Sequence, residues 1–168
     1  MRTAHEARIK SYEDAGQTII YLDESGFAVD MPRTHGYSPK GTRCEGVYDW
    51  HKKGRINALG AVVQGLLLTV TLITGMVNTD VFYAWLTQDL LPKIPANSVI
   101  VMDNATFHRR EDIYQAIQAA GATLEFLPPY SPDLNPIEKK WAQAKAIRRQ
   151  HDCSVDELFR NHMEYINL

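Results

Sequence analysis

The stretch SVIVMDNATFHRREDIYQAIQAAGATLEFL, residues 98–127, decides the fold class of this 168-residue chain. Its pattern predicts an apolar strand over 98–102, an amphipathic helix over 109–120 and a second strand over 123–127. Gly121 ends the helix. Connections this short make the two strands parallel neighbours in one sheet. The stretch therefore predicts an α/β fold with a helix on a face of the sheet.

The segments before and after this unit extend the sheet. Apolar runs over 56–63 and 66–73 are separated by Gln64 and Gly65, the spacing of a tight β-hairpin. A further β-prone run over 18–22 leads into Asp23, and residues 27–31 either continue it or return. An antiparallel group followed by two βα steps predicts a mixed five-stranded sheet. Flanking helices are predicted over 3–14, over 79–91 with Thr79 as N-cap, from Pro136 to about Gln150, and over 154–166 with Ser154 and Glu157 as a capping box.

Composition indicates an ordinary globular domain. Hydrophobic residues make up 45% and charged residues 23%, which excludes a disordered tail or a fibre. The net charge is −2, so an argument for nucleic-acid binding must come from local clusters. Cys44 and Cys153 fit no paired-cysteine motif, and neither completes a zinc site with a nearby histidine, so we expect a reduced, cytoplasmic protein. The apolar stretch over 58–77 is too interrupted to span a membrane.

Three acidic residues stand where a mixed sheet can bring side chains together. Asp23 follows the first predicted strand, Asp103 follows the fourth, and Glu138 begins the helix after the fifth. Converging carboxylates repel one another unless cations lie between them, and oxygen ligands suit Mg²⁺ rather than Zn²⁺. Two such ions would serve an in-line phosphoryl displacement. Glu24 is the local rival to Asp23, but strand alternation sends it to the opposite face.

Each of these carboxylates also has a purely structural interpretation. Asp23 could be a turn residue, and Asp103 could cap the turn that follows it. Glu138 has the strongest alternative, because Asn135, Pro136 and Glu138 stand at the N-cap, N1 and N3 positions of a capping box. The residues by themselves leave both interpretations open.

Three segments together resemble the catalytic domain of the mariner-like superfamily of DDE cut-and-paste transposases, in its bacterial insertion-sequence branch. They are IYLDESGF (20–27), VIVMDNATFH (99–108) and LPPYSPDLNPIE (127–138). The third, which runs on to Trp141, is the most specific. Between Asp103 and Glu138 lie 34 residues, the spacing typical of that branch. HGYSPKG over 35–41 also resembles a loop of the family, and the resemblance spans roughly 17–150.

The resemblance implies a ribonuclease H-like fold in which Asp23, Asp103 and Glu138 form the metal-binding catalytic triad. It implies two Mg²⁺ ions, with Mn²⁺ as a substitute. Water would first cleave DNA at the element end, and the freed 3′-hydroxyl would then attack target DNA, typically at a TA dinucleotide. The implied partners are element-end and target DNA and a second copy of the chain, in a homodimer assembled on DNA. No membrane is involved, and the expected location is the bacterial cytoplasm, at the nucleoid.

Residues beside the triad receive supporting roles from the same resemblance. Asn104 and His108 could orient a metal ligand or a phosphate, although His108 could equally be a helix-start residue. Tyr130, Ser131 and Asn135 are expected to shape the loop that presents Glu138. The prolines of that loop stiffen it; they are Pro128, Pro129, Pro132 and Pro136.

Two basic surfaces are candidates for DNA contact. On the helix from Pro136, Glu138, Lys145 and Arg149 share one stripe, beside a core stripe that contains Trp141. The stretch 33–55 has a net charge of +4 and three aromatic residues that could stack on bases. A solvated basic face and a disordered surface loop are the respective alternatives. The predicted DNA-binding residues are Lys40, Arg43, Lys52, Lys53, Arg55, Lys139, Lys140, Lys145 and Arg149.

The expected domain organisation is an N-terminal remnant or linker over 1–16 and a ribonuclease H-like DDE catalytic domain over 17–168. Complete members of the family carry helix-turn-helix modules before the catalytic domain, so we expect a fragment, a split reading frame or a decayed gene. The principal prediction is a metal-dependent transposase. The alternatives are a catalytically silent remnant that only binds DNA or a partner subunit, and a ribonuclease H-like nuclease that cuts without joining.

Overall fold

The computed structural model describes residues 2–29, 54–104 and 110–168. Its sheet has the strand order β3-β2-β1-β4-β5. The β1–β2 and β2–β3 pairs are antiparallel, whereas β4 lies parallel to both β1 and β5. The predicted mixed five-stranded sheet is confirmed. Its strands are β1 (Ile19–Ala28), β2 (Arg55–Val63), β3 (Leu66–Thr74), β4 (Val99–Met102) and β5 (Thr123–Phe126).

Two features of the antiparallel part bear on the predictions. Gln64 and Gly65 both have positive φ, 54° and 79°, as the predicted two-residue hairpin requires. The prediction that the first strand ends before Asp23 is wrong. Asp23 lies inside β1 opposite Gly60, and the pairing continues through Gly26. Backbone hydrogen bonds to β2 therefore outweigh the turn preference of the sequence from Asp23 to Gly26.

Within the described residues, five α-helices flank the sheet. Asn78, not Thr79, caps α2, because its Oδ1 accepts a hydrogen bond from the Val81 N–H at 2.9 Å. The helix continues as a π-helical turn over Leu86–Leu90 and a 3₁₀ turn over Leu91–Lys93. The helices are α1 (Arg2–Asp14), α2 (Thr79–Trp85), α3 (Glu111–Ala119), α4 (Ile137–His151) and α5 (Val155–Asn161).

The last helix is shorter than predicted. Ser154 caps α5 as expected and accepts from the Glu157 N–H at 3.1 Å. The helix ends at Asn161, however, and residues 164–166 lie along the edge of β3. The Ile166 N–H donates to the Leu67 carbonyl at 2.8 Å, so the tail covers part of an edge strand instead of extending the helix.

The two faces of the sheet carry different helices. On one face α2 and α3 cover a core that includes Leu22, Leu59 and Ile100. On the other face α4 and α5 pack through Trp141 and Phe159. Asp23 lies on this second face, since alternate residues of a strand point to opposite sides.

Helix α1 packs on the second face as well. Its Ile9 lies in a buried cluster with Ile19, Val99 and Leu127. The division into a linker over 1–16 and a domain over 17–168 stays a prediction.

In the described segments no helix is both long and apolar enough to cross a lipid bilayer.

Candidate carboxylate site

The parallel pairing of β1 with β4 brings two aspartates to one place. Tyr21 lies beside Val101 in the ladder. Two residues further on, Asp23 and Asp103 follow on the same face by strand alternation. Asp103 comes directly after β4 ends, as predicted. The topology thus makes neighbours of residues that are 80 positions apart.

Helix α4 brings the third carboxyl group to this face. Trp141 packs so closely over Gly60, the residue opposite Asp23, that a Cβ on Gly60 would stand 2.5 Å from the Trp141 Cη2. Glycine is required there by this close approach. Because Glu138 stands in the first turn of the same helix, the contact with Gly60 sets how far Glu138 lies from the sheet.

Asn135 organises the start of α4. Its side chain is 4% exposed, and its Oδ1 accepts from the Ile137 N–H at 3.4 Å. Its own N–H donates to the Pro132 carbonyl at 3.1 Å, where a capping box would pair it with the Glu138 side chain. The structure thus supports a capping role for Asn135, and the Glu138 side chain meets Asp23 instead.

The electrostatics show that the three carboxyl groups interact. Burial and, next in size, the hydrogen bond that protonated Asp23 donates to Glu138 together raise the pKa of Asp23 to about 8. The negative charges of Glu138 and Asp103 act in the same direction. The structure therefore brings together the three acidic residues that the sequence singled out.

The donor set fits a hard divalent cation. Three carboxyl groups supply only oxygen ligands, the preference of Mg²⁺ and Mn²⁺. A cation would also offset the repulsion among the carboxylates, which adds to the effect of burial on the pKa of Asp23. Within residues 2–29, 54–104 and 110–168, no three His, Cys, Asp or Glu side chains already stand in a metal-holding arrangement.

A cleft of about 470 Å³ opens beside these carboxyl groups. Asp103, Asn104 and Glu138 line it together with the loop over 127–135. Ser131 shapes this loop as expected, because it is buried and its Oγ donates to the Pro129 carbonyl at 3.1 Å. Tyr130 differs from the expectation, since its side chain projects away from the loop it was expected to shape.

Helix α1 holds the same loop from outside. The Arg2 guanidinium donates to Asp133 and, at 3.2 Å, to Ser131 Oγ. Further along the helix, the Tyr12 hydroxyl donates to Glu125 of β5 at 2.6 Å. No local pattern in the sequence indicates these contacts, because the polar partners lie more than 110 residues apart.

The basic residues of α4 lie where the helical pattern predicted. Trp141 faces the core, while Lys145 is half-buried with its Nζ 5.2 Å from the centre of the Phe27 ring, and Arg149 is exposed. Lys139 is exposed, and the Lys140 Nζ donates to Gln143 at 2.6 Å.

Sequence reasoning missed the part that Arg148 plays. It is buried, and it donates to the carbonyls of Ala28 at 2.6 Å and Cys153 at 3.0 Å. It therefore anchors the end of β1 to α4. Arg148 points inward, whereas its neighbour Arg149 is exposed, and the basic run RRQH in which both stand does not indicate this difference.

The remaining predicted residues divide into two groups. Arg55 pairs with Ala28 and lies against Gly26, which places it on the face of the sheet opposite to Asp23. It therefore does not extend the basic stripe of α4. The predicted DNA-binding residues Lys40, Arg43, Lys52 and Lys53, and the supporting residue His108, lie outside the described residues.

Comparison with known proteins identifies a family model and solved structures that match this chain. The model of the family described as DDE superfamily endonuclease matches residues 18–158. The Mos1 transposase paired-end complex with left transposon end is similar in structure, with a TM-score of 0.60, 17% identity and coverage of 90% of this chain and 52% of that chain. The crystal structure of the catalytic domain of Mos1 mariner transposase is also similar, with a TM-score of 0.56 and 14% identity. The match covers 90% of this chain and 76% of that chain.

These matches carry two further facts. The chain spans about half the length of the Mos1 chain in the paired-end complex. No curated protein sequence matches it significantly. The shared architecture confirms the predicted ribonuclease H-like fold.

Proposed function

Because this chain belongs to the DDE superfamily endonuclease family, we propose that it is a transposase catalytic domain that cleaves DNA and joins the freed end to a target. The observation that carries the proposal is the meeting of Asp23, Asp103 and Glu138 on one face of the sheet. Burial, with a smaller contribution from Glu138 and Asp103, raises the pKa of Asp23 to about 8. Groups with strongly shifted pKa values in a cleft mark functional sites.

The three carboxylates would hold two Mg²⁺ ions, or Mn²⁺ in their place. Bound there, such ions activate the attacking oxygen and stabilise the charge of an in-line displacement at phosphorus. Asp23 must lose its proton to become a ligand. Mos1 structures that contain Mn or Mg support this choice of ions.

The other residues of the site would bind the DNA or hold the reacting groups in position. Asn135 fixes the start of α4 and with it the backbone of Glu138. Lys145 and Arg149 lie further along the same helix and would bind phosphates of the DNA that leads away from the cleft. Asn104 lines the cleft beside Asp103 and would orient a ligand or a phosphate.

The proposed reaction has two steps. Water attacks a phosphodiester at the element end and breaks its P–O3′ bond, which frees a 3′-hydroxyl and leaves the phosphate on the other strand end. That hydroxyl then attacks a phosphate of target DNA at a TA dinucleotide, so that a new P–O bond forms and the target's own 3′-oxygen leaves as a hydroxyl. Both steps would take place in a homodimer assembled on DNA. Mos1 paired-end and strand transfer complexes support DNA as the partner. We also propose that the chain acts at the nucleoid of a bacterial cell.

Supercoiled plasmid incubated with the chain and Mn²⁺ tests the cleavage step. We expect the wild type to nick the plasmid. Asp103→Asn and Glu138→Gln should each lower the rate by about 100-fold or more. The reason is that changing groups that only hydrogen-bond to metal ligands already lowers metal affinity or activity by roughly 10–100-fold. Glu24→Gln is the matched control, since Glu24 neighbours Asp23 on the opposite face. Intact plasmid that the wild type nevertheless binds would support the silent remnant instead.

A labelled oligonucleotide with a free 3′-hydroxyl tests the joining step. A transposase transfers the label to the plasmid, whereas a nuclease of the same fold only cuts. Cleavage without any transferred label would therefore favour the nuclease and contradict the proposed second step.

A further inference from the structure

One aromatic side chain beside the cleft has no packing role in the fold. Tyr130, at the tip of the loop over 127–135, is 100% exposed. Its backbone φ is 55°, in the left-handed region that an aromatic residue rarely adopts. Such a conformation costs on the order of 1–3 kcal/mol, and it clusters at functional sites. Neither the exposure nor the conformation is explained by the stability of the chain.

The loop holds this ring in a defined place. Pro128, Pro129 and Pro132 restrict the backbone on both sides of Tyr130. The next residue, Ser131, is buried and bonded to the Pro129 carbonyl. Helix α1 ties the loop down through Arg2, as described above. The ring is therefore presented from a stiff support.

The position of the ring relates it to the chemistry. Tyr130 lines the same cleft as Asp103 and Glu138. A substrate strand that brings its phosphate to those carboxyl groups enters a cleft of which Tyr130 forms part of the wall. Duplex DNA offers no free base face, whereas a nucleotide that has left the stack does.

We propose that Tyr130 stacks on an unpaired base of the DNA strand that enters the carboxylate cleft. The proposal rests on the proposed function, and it narrows the substrate class to DNA that is locally unpaired beside the cut. Stacking on an aromatic side chain tolerates any base, because every base has a π-face. A single ring suits a flat base face, whereas a protein partner would need a broad apolar patch.

Two substitutions separate stacking from loop structure. Tyr130→Asn removes the ring but tolerates the left-handed backbone, so the loop keeps its shape. Tyr130→Phe keeps the ring and loses only the hydroxyl group. The matched control is Met76→Asn, which replaces another exposed apolar side chain that lies after the far edge strand β3.

The probes are two DNA duplexes that contain 2-aminopurine, one fully paired and one with that base unpaired in a short gap. Binding is measured by fluorescence without divalent metal, so that cleavage plays no part. We expect the wild type to prefer the gapped probe and to quench its fluorescence. Tyr130→Asn should bind that probe roughly 5- to 150-fold more weakly, as a loss of about 1–3 kcal/mol per stacked base requires. Tyr130→Phe and Met76→Asn should keep the preference.

Equal affinity of the wild type and Tyr130→Asn for the gapped probe would overturn the proposal, and so would a wild type that binds neither probe. Unchanged DNA binding combined with lost self-association in Tyr130→Asn would assign the ring to a protein interface. The proposed function is judged separately. The proposed function is contradicted when the wild type leaves plasmid uncut, whether or not Tyr130 contributes to binding of the aminopurine probe.

Discussion

The Asp23 carboxyl group ties stability to pH. Its pKa is raised from 3.8 to about 8 by burial and by Glu138, so folding favours the protonated form. A folded-state pKa above the unfolded value gives stability that is complete below about pH 4 and is lost as the pH rises through about 8. Asp23→Asn cannot ionise. We therefore expect it to melt several degrees above the wild type at pH 8, where roughly 1 kcal/mol corresponds to 2–4 °C.

The measurement is thermal unfolding followed by circular dichroism at pH 5 and pH 8 in buffer with a chelator. The gain from Asp23→Asn should be larger at pH 8. Asp156→Asn, at an exposed position of α5, serves as the control. A gain that is the same at both pH values would show that Asp23 ionises normally, and the three carboxyl groups would then not interact.

For single residues, the sequence predicts which side chains form the site better than it predicts their hydrogen bonds and orientation. The motifs around Asp23, Asp103 and Glu138 single out the three residues that meet. They do not reveal the hydrogen bond between Asp23 and Glu138, because this depends on how closely α4 approaches the sheet. Nor do they reveal that Tyr130 points outward, since its neighbour Ser131 is buried in the same loop.

Among the elements, α4 depends on one glycine for its distance from the sheet. An added methyl group at Gly60 would meet the Trp141 ring, which is itself held by edge contacts with Phe27 and Phe159. We expect Gly60→Ala to lower the free energy of unfolding by about 1–3 kcal/mol, the usual cost of overpacking. Plasmid cleavage should fall as well, because Glu138 moves with the helix.

Urea unfolding and the plasmid assay test this prediction together. Gly54→Ala is the matched control, because a Cβ there has no atom within 4 Å. Gly60→Ala combined with Trp141→Phe should recover part of the stability. A single Gly60→Ala variant that unfolds like the wild type would show that α4 does not rest on this contact.

Local patterns predict the elements that local contacts build. The hairpin at Gln64 and Gly65 and the β4-α3-β5 unit follow from turn chemistry and periodicity. The full length of β1 cannot be predicted from local patterns, because its second half depends on pairing with β2, which begins at Arg55. The end of α5 is another such case, since residues 164–166 pair with Leu67, almost 100 positions earlier.

For the whole molecule, metal binding and folding should be coupled. The three carboxyl groups are neighbours only in the folded chain, so a cation that they bind stabilises that state. At a concentration 100 times its dissociation constant, the gain is about 2.7 kcal/mol. This corresponds to roughly 5–10 °C in melting temperature for a chain of this size.

A Mn²⁺ titration of the melting temperature checks this coupling, and calorimetry at the same concentrations gives the affinity. Asp103→Asn should lose the shift, while Glu24→Gln should keep it. A shift of the same size in Asp103→Asn would mean that Mn²⁺ binds elsewhere, and the carboxylate cleft would not be the metal site.

The scatter of the three carboxyl groups along the chain also has a consequence for the cell. Asp23 is synthesised early, Asp103 must pair beside it across the sheet, and Glu138 arrives with one of the last helices. A chain released before that helix therefore lacks the third carboxyl group of the site. Under the proposed function, DNA cleavage is therefore confined to a chain in which all three of these elements have been made and folded together.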